Sequence, residues 1–256
     1  MHPALALGFG AVSYGIFFAS FLYLVGFLGG VAVPKSVDSG DAGPVGTALL
    51  VNTALLLLFG VQHSVMARPG FKKWWTRFVP QPIERSTYVL ASSAVLIALF
   101  AWWQPISAPV WEITNPLART AMLALFFGGV GLVLFSTFLI DHFDLFGLRQ
   151  VVLHFRGRDY SEKHFAMPLL YRFIRHPLYV GWIVTFWATP TMSAGHFLFA
   201  LIMTGYILVA IPMEERDLGA LHGESYRRWR ESTPAFVPRI KSRTDQPSAP
   251  IASQSA

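Results

Sequence analysis

Two polar stretches in an otherwise apolar chain hold the residue types that can do chemistry. The first runs Tyr171-Arg172-Phe173-Ile174-Arg175-His176-Pro177-Leu178-Tyr179-Val180-Gly181-Trp182. Pro177 suits the first turn of a helix, where its missing N–H is not needed. A helix starting there presents free N–H groups and a positive dipole end to an anionic ligand. Gly181, one turn in, lets a ligand or a second helix come close. The same residues also fit a basic anchor at a membrane surface, with Tyr and Trp at the interface. The second stretch runs Pro212-Met213-Glu214-Glu215-Arg216-Asp217-Leu218-Gly219-Ala220-Leu221-His222-Gly223-Glu224-Ser225-Tyr226. Adjacent carboxylates at the edge of hydrocarbon often mark function. Glu215, Asp217 and Glu224 also fit a solvated amphipathic helix leaving the membrane.

Three further residues could take part in proton transfer. His63, between Gln62 and Ser64, ends one apolar block, and Asp141 and His142 end another. A histidine near a reacting group can serve as general base. The two ends could converge above a small apolar pocket, Asp141 orienting His142 or His63 and Tyr88 lining the wall. Against this, His63 also fits a core histidine bonded to a backbone carbonyl, and Asp141 and Asp144 fit helix caps. No metal is expected. The histidines His63, His142, His154, His164, His176, His196 and His222 are scattered, no HExxH pattern occurs, and Cys is absent. Walker A and GxGxxG loops are also missing. Gly128-Gly129-Val130-Gly131 lies inside an apolar block, where close helix packing is its expected purpose.

The elements that must position these residues are membrane helices. The chain has 256 residues, 54% hydrophobic and only 13% charged, and a mean hydropathy of +0.48. A soluble domain carries about a quarter charged residues. A span needs about 20 apolar residues. Charge-free stretches predict spans near 8–31, 46–67, 86–106 and 119–140. The block 178–213 is too long for one span and is broken at Pro190–Gly195, which predicts a tight helical hairpin with two short arms. The fold class is thus an all-α integral membrane protein with five to six transmembrane helices, a C-terminal helical hairpin and a cytoplasmic cofactor-binding region. Residues 1–238 form a single domain and 239–256, rich in Ser, Pro, Gln and Ala, a disordered tail. The first block lacks a basic leader and cleavage pattern, and so reads as a retained span.

Charge sets the topology. All of the 20 Lys and Arg except Lys35 and Arg119 fall after the second, fourth and last apolar blocks. Positive residues stay in the cytoplasm, which places both termini and the polar stretches there. The localisation this implies is the inner (cytoplasmic) membrane, multi-pass. The basic residues are spread over three connections, so nucleic-acid binding gains little support. Nothing implies an obligate protein partner beyond the lipid bilayer. Polar groups at the membrane edge rather than its midplane also count against a transporter.

The pattern RHPLYVGW, an apolar hairpin, then EERDL…HGESYRRW…P resembles the C-terminal half of the isoprenylcysteine carboxyl methyltransferase superfamily, over about 150–238. The N-terminal GVQHSVMARPGFKKWW and ERSTYVL, with DHFDLFGLRQV, resemble the nurim-like branch, and together the segments are similar to bacterial methanethiol S-methyltransferases. The resemblance implies S-adenosyl-L-methionine as methyl donor, S-adenosyl-L-homocysteine as product, and methylation of the small thiol methanethiol to dimethyl sulfide. It implies cofactor contacts at Gln150, Tyr171, Arg175, His176, Pro177, Tyr179, Gly181, Glu214 and Glu215. Prenylcysteine enzymes carry a substrate-binding Arg just before the acidic pair, where this chain has Ile211-Pro212-Met213. That departure favours a small neutral substrate. In-line transfer to a thiolate then needs positioning and a proton acceptor, for which His63, Asp141 and His142 are the candidates. The competing readings are a larger lipophilic acceptor (isoprenoid, lipid or phenol) and a non-catalytic nurim-like membrane protein.

Overall fold

The computed structural model describes residues 1–161 and 168–238. The expected tail lies outside them. Ten α-helices occur among the described residues: α1 Pro3–Gly29, α2 Val45–Ala67, α3 Pro69–Trp75, α4 Glu84–Trp102, α5 Pro116–Ile140, α6 His142–Leu145, α7 Leu148–Phe155, α8 Pro177–Trp187, α9 Ala194–His222 and α10 Glu224–Ser232, with short 3-10 turns at Gln81–Ile83 and Leu169–Arg172. Helices α1, α2, α4, α5 and α9 are long and apolar enough to cross a membrane. Their outward sides carry large apolar residues such as Leu50, Leu117, Phe138 and Val209. That surface suits lipid, where backbone groups can be satisfied only within helices. The protein is a multi-pass membrane protein.

The expected hairpin differs in its proportions. Its two arms were expected to be short, but α8 has 11 residues and α9 has 29. A helix of 11 residues rises only about 16 Å, roughly half the hydrocarbon core. The second arm is a full span because Pro212 sits inside α9 without ending it. The chain continues helically through both glutamates to His222.

Helix α8 is held by α5 along its length. The space a Cβ would need at Gly181 is filled by the Gly129 carbonyl, 2.8 Å away, and the reverse holds at Gly129 against the Gly181 carbonyl. Two glycines facing one another let the backbones touch. The close approach open to Gly181 is thus to a helix, and of the Gly128–Gly131 run Gly129 alone serves that packing, since nothing lies within 4 Å of a Cβ at Gly128 or Gly131. Thr185 Oγ1 returns its hydrogen bond to the Gly181 carbonyl at 2.8 Å, leaving no buried donor beside Gly129.

Two extended segments, β1 Pro109–Glu112 and β2 Thr191–Ser193, pair antiparallel. They are too short to register as strands in an apolar, helix-rich sequence. The ribbon ties the α8–α9 connection to the α4–α5 connection, and the Ser193 hydroxyl bonds Asp38 of the α1–α2 loop. These connections share one face of the bundle. Segments 68–83, 141–161, 168–176 and 214–238 share the other, and all the candidate residues lie at or near it. The core between the faces is built on Phe27, Leu56, Leu99, Trp103, Phe126 and Phe199, each no more than 2% exposed.

Candidate functional site

The two adjacent glutamates of α9 do different work. Glu215 is 4% exposed. Its Oε1 accepts from Arg175 Nε at 2.7 Å and His176 Nε2 at 2.9 Å, and its Oε2 accepts from Arg230 Nε at 2.9 Å. Arg175 Nη1 also donates to the carbonyls of Arg230 and Thr233. The backbone N–H groups of Arg175 and His176 donate to Pro234 and Ala235, at 2.9 and 3.1 Å. Three residues expected to contact a cofactor, Arg175, His176 and Glu215, thus direct their hydrogen bonds at one another. Together they pin the segment before α8 to α10 and to the chain after it. A buried carboxylate persists only with partners of this kind.

Glu214 has a different environment. Its Oε2 accepts one hydrogen bond, 2.7 Å from the Tyr179 hydroxyl, and no cation lies within ion-pair distance among the described residues. Burial and the Glu214 charge push the Tyr171 phenol up from its ordinary value, so it stays protonated. Tyr171 is held in place through its carbonyl, which accepts from Trp229 Nε1 at 3.0 Å. Pro177 opens α8, whose amino end has no side-chain cap.

A second polar cluster sits between α2 and α4. Tyr88 places its hydroxyl 3.1 Å from Nδ1 and 3.0 Å from Nε2 of His63, while Ser92 Oγ lies 3.3 Å from Nδ1. The ring nitrogens aim in different directions, so one hydroxyl cannot satisfy both in the ring plane. Phe59 stacks on the imidazole at 5.3 Å. Gln62 donates to Ser92, and its Oε1 is buried without a partner.

Tyr206 joins the two clusters. From α9 its hydroxyl accepts from Ser64 Oγ at 3.2 Å. Its ring crosses α2 at Gly60, where a Cβ would meet it at 3.0 Å. It lies within electrostatic reach of Tyr88, Tyr179 and Glu214. Nearby, Arg68 donates to Asp217 at 2.8 Å and ties α2 to α9. Tyr206 and Ser92 were missed in the sequence because each is embedded in an apolar block. The available signal was spacing, since 206, 210 and 214 fall on one face of a helix.

The Asp141–His142 pair lies elsewhere. His142 Nδ1 is 2.9 Å from Thr137 Oγ1 and its Nε2 is 2.9 Å from the Tyr14 hydroxyl. Phe138 stacks on it at 4.3 Å. The expected convergence of the two span ends is corrected: His63 is held by α2 and α4, and His142 by α1 and α5. No partner is common to the two. The physical reason is helix order, for α5 packs on α8 while α2 packs on α4 and α9. Burial holds the His142 imidazole below its ordinary value, against the pull of Asp141. Asp141 caps α6, accepting from the Asp144 N–H at 3.2 Å. Gln150 Nε2 donates to Asp144 Oδ1 at 2.9 Å, while its buried Oε1 has no partner.

Comparisons with known proteins give a consistent placement. The chain is 53% identical over 238 residues to the methanethiol S-methyltransferase of Mycobacterium tuberculosis, covering 93% of this chain and 98% of that one. It is 51% identical over 241 residues to methanethiol S-methyltransferase 2 of Bradyrhizobium diazoefficiens, covering 93% of each. Nurim of Bos taurus is 32% identical over 233 residues, covering 85% of this chain and 88% of that one. No family model and no solved structure matches. With identity of this level over more than nine-tenths of its length, the chain belongs to the methanethiol S-methyltransferase family, in the branch that also holds nurim.

Proposed function

We propose that this protein methylates methanethiol to dimethyl sulfide, with S-adenosylmethionine as donor, at the polar end of the bundle formed by α2, α4, α8 and α9. The observation that carries the reading is the joining of the His63–Tyr88 cluster to the Tyr179–Glu214 cluster through Tyr206. Its relatives named for methanethiol S-methylation supply the substrate.

The residues present fit the donor. Glu214 is a carboxylate without a counter-ion among the described residues, suited to an ammonium or to ribose hydroxyls. Tyr171, Tyr179 and Tyr206 offer ring faces, which attract cations. Gln150 and Gln62 each keep a buried amide oxygen unpaired, and such an atom awaits a donor. When bound, S-adenosylmethionine supplies a methyl group on a positively charged sulfur and leaves as S-adenosylhomocysteine. Glu214 and Tyr179 orient the amino-acid or ribose part, with Gln150 as a further contact. Arg175, His176 and Glu215 act behind them by fixing the entry to α8, and Gly181 by packing that helix on α5.

His63 accepts the thiol proton at a ring nitrogen as the thiol sulfur attacks the methyl carbon. Tyr88 and Ser92 hold the imidazole in place. General-base help of this kind contributes about 10²–10⁴-fold. Ile211, Pro212 and Met213 leave the approach without a cation, which suits a small neutral thiol. The site and both termini face the cytoplasm of an inner membrane, because the basic connections lie on the same face as the site.

The test is headspace gas chromatography on detergent-purified protein given S-adenosylmethionine and methanethiol. Dimethyl sulfide that requires both protein and donor supports the reading. Protein that binds the donor yet yields no dimethyl sulfide moves the reaction to a larger acceptor.

A further inference from the structure

One cation near the site has no counter-ion among the described residues. Among the described residues the other half-buried arginines are all engaged: Arg68 with Asp217, Arg149 with Asp144, Arg175 with Glu215, and Arg119 with the Ile113 carbonyl. Arg85 is half-buried and, among the described residues, has neither a hydrogen bond nor an ion pair. Glu84 and Asp144 are the neighbouring acids, and neither is within ion-pair distance of it. A guanidinium taken partly out of water without an anion is unfavourable unless something supplies one.

Its position says what that anion meets. Arg85, Tyr88 and Ser92 follow the i, i+3, i+7 spacing of one helix face, and Tyr88 and Ser92 both contact His63. Arg85 is within electrostatic reach of Tyr88 on one side and of Tyr160 on the other. Tyr160 in turn donates to Asp144, the partner of Gln150. Arg85 therefore stands between the His63 cluster and the Gln150 cluster, at the first turn of α4, whose amino end has no side-chain cap. The helix dipole there adds to the positive field.

Methanethiol is neutral until His63 takes its proton, so it brings no anionic group to the site. Of the two molecules the reaction needs, only the donor has one, the α-carboxylate of its methionine portion. We infer that Arg85 is a binding residue for that carboxylate. The assignment rests on the donor proposed above. It divides recognition between two charges, with Glu214 for the cationic or hydroxyl groups and Arg85 for the anionic one. An Arg–carboxylate pair is commonly bidentate, fixing orientation as well as affinity.

The test compares S-adenosylmethionine with its decarboxylated analogue, which lacks only the carboxylate, by isothermal titration of the full-length protein in detergent. The wild type is expected to prefer the complete molecule about 10- to 100-fold, the range for a charge-assisted pair. Arg85→Ala and Arg85→Gln are expected to abolish that preference and leave affinity for the decarboxylated analogue within about twofold. Retained binding of the analogue also shows that the variants are folded. A variant that keeps the preference, or loses both ligands equally, overturns the assignment while leaving the donor reading intact. A lipid-phosphate role for Arg85 gives that same unchanged preference. Wild type that binds neither ligand overturns the donor reading and this assignment together.

Discussion

His63 and His142 stand at the same end of two spans and look alike in the sequence, yet the fold treats them oppositely. His142 has each ring nitrogen at 2.9 Å from its own hydroxyl, Thr137 on one side and Tyr14 on the other, with Phe138 stacked on its ring. It is a finished structural joint between α1, α5 and α6. His63 shares one tyrosine hydroxyl between two nitrogens and has a weaker contact to Ser92. Its surroundings are polar, incompletely satisfied and continuous with Glu214. The lesson is that residue type and depth do not identify a base. What identifies it is capacity left over after the fold has been built.

Exchanging each histidine for alanine breaks or upholds that contrast with the largest effect. His63→Ala is expected to lower turnover by about 10²–10⁴-fold with donor affinity and thermal stability nearly unchanged. His142→Ala leaves a cavity and takes away the partner of the Tyr14 hydroxyl, while Thr137 keeps the Leu134 carbonyl, so it is expected to lower the melting temperature while the folded fraction keeps near-normal turnover. Turnover and melting temperature measured on both variants decide the matter. If His142→Ala abolishes turnover in folded protein and His63→Ala does not, the roles are reversed.

The same contrast recurs between neighbouring carboxylates. Glu215→Gln leaves Arg175 and Arg230 facing a neutral group and is expected to destabilise the protein by about 3 kcal/mol. That is the low end of the cost of breaking a buried pair, because Arg230 is half-exposed to solvent. Glu214→Gln loses one bond from Tyr179 and is expected to change stability by less than about 1 kcal/mol. It should weaken S-adenosylhomocysteine binding about tenfold. Thermal melts of both variants, with and without S-adenosylhomocysteine, separate the two roles. Equal loss of stability would erase the distinction.

Much of this was legible in the chain. The first four long helices follow from charge-free length, while the full length of α9 does not, and Glu214, Tyr179 and His63 stand out as polar groups at the ends of apolar blocks. Tyr206 was not legible, because a tyrosine inside an apolar helix is usually core. Its role appears only when Gly60 on α2 makes room for its ring. The pairing of Asp141 and His142 with His63 failed for a related reason. Hydropathy gives helix ends but not which helices are neighbours, and the choice of α8 as the partner of α5 rests on one glycine contact deep in the bundle. The division of labour between Glu214 and Glu215 was hidden as well. Adjacent residues on a helix point about 100° apart, so one faces the Arg175–Arg230 pair and the other the tyrosines.

The smallest effect concerns the closed joint itself. Burial holds the folded His142 below its ordinary value near 6.5, so the folded state takes up a proton less readily than the unfolded chain. A group depressed in this way leaves stability intact above about pH 6.5 and subtracts from it as pH falls below that point. Protonation also removes the acceptor nitrogen that one of the two hydroxyls needs. The melting temperature is therefore expected to decline from pH 7 to pH 5, and His142→Phe is expected to start lower but decline less. A His142→Phe variant that declines as steeply as the wild type would show that the closed joint does not carry the acid sensitivity of the fold.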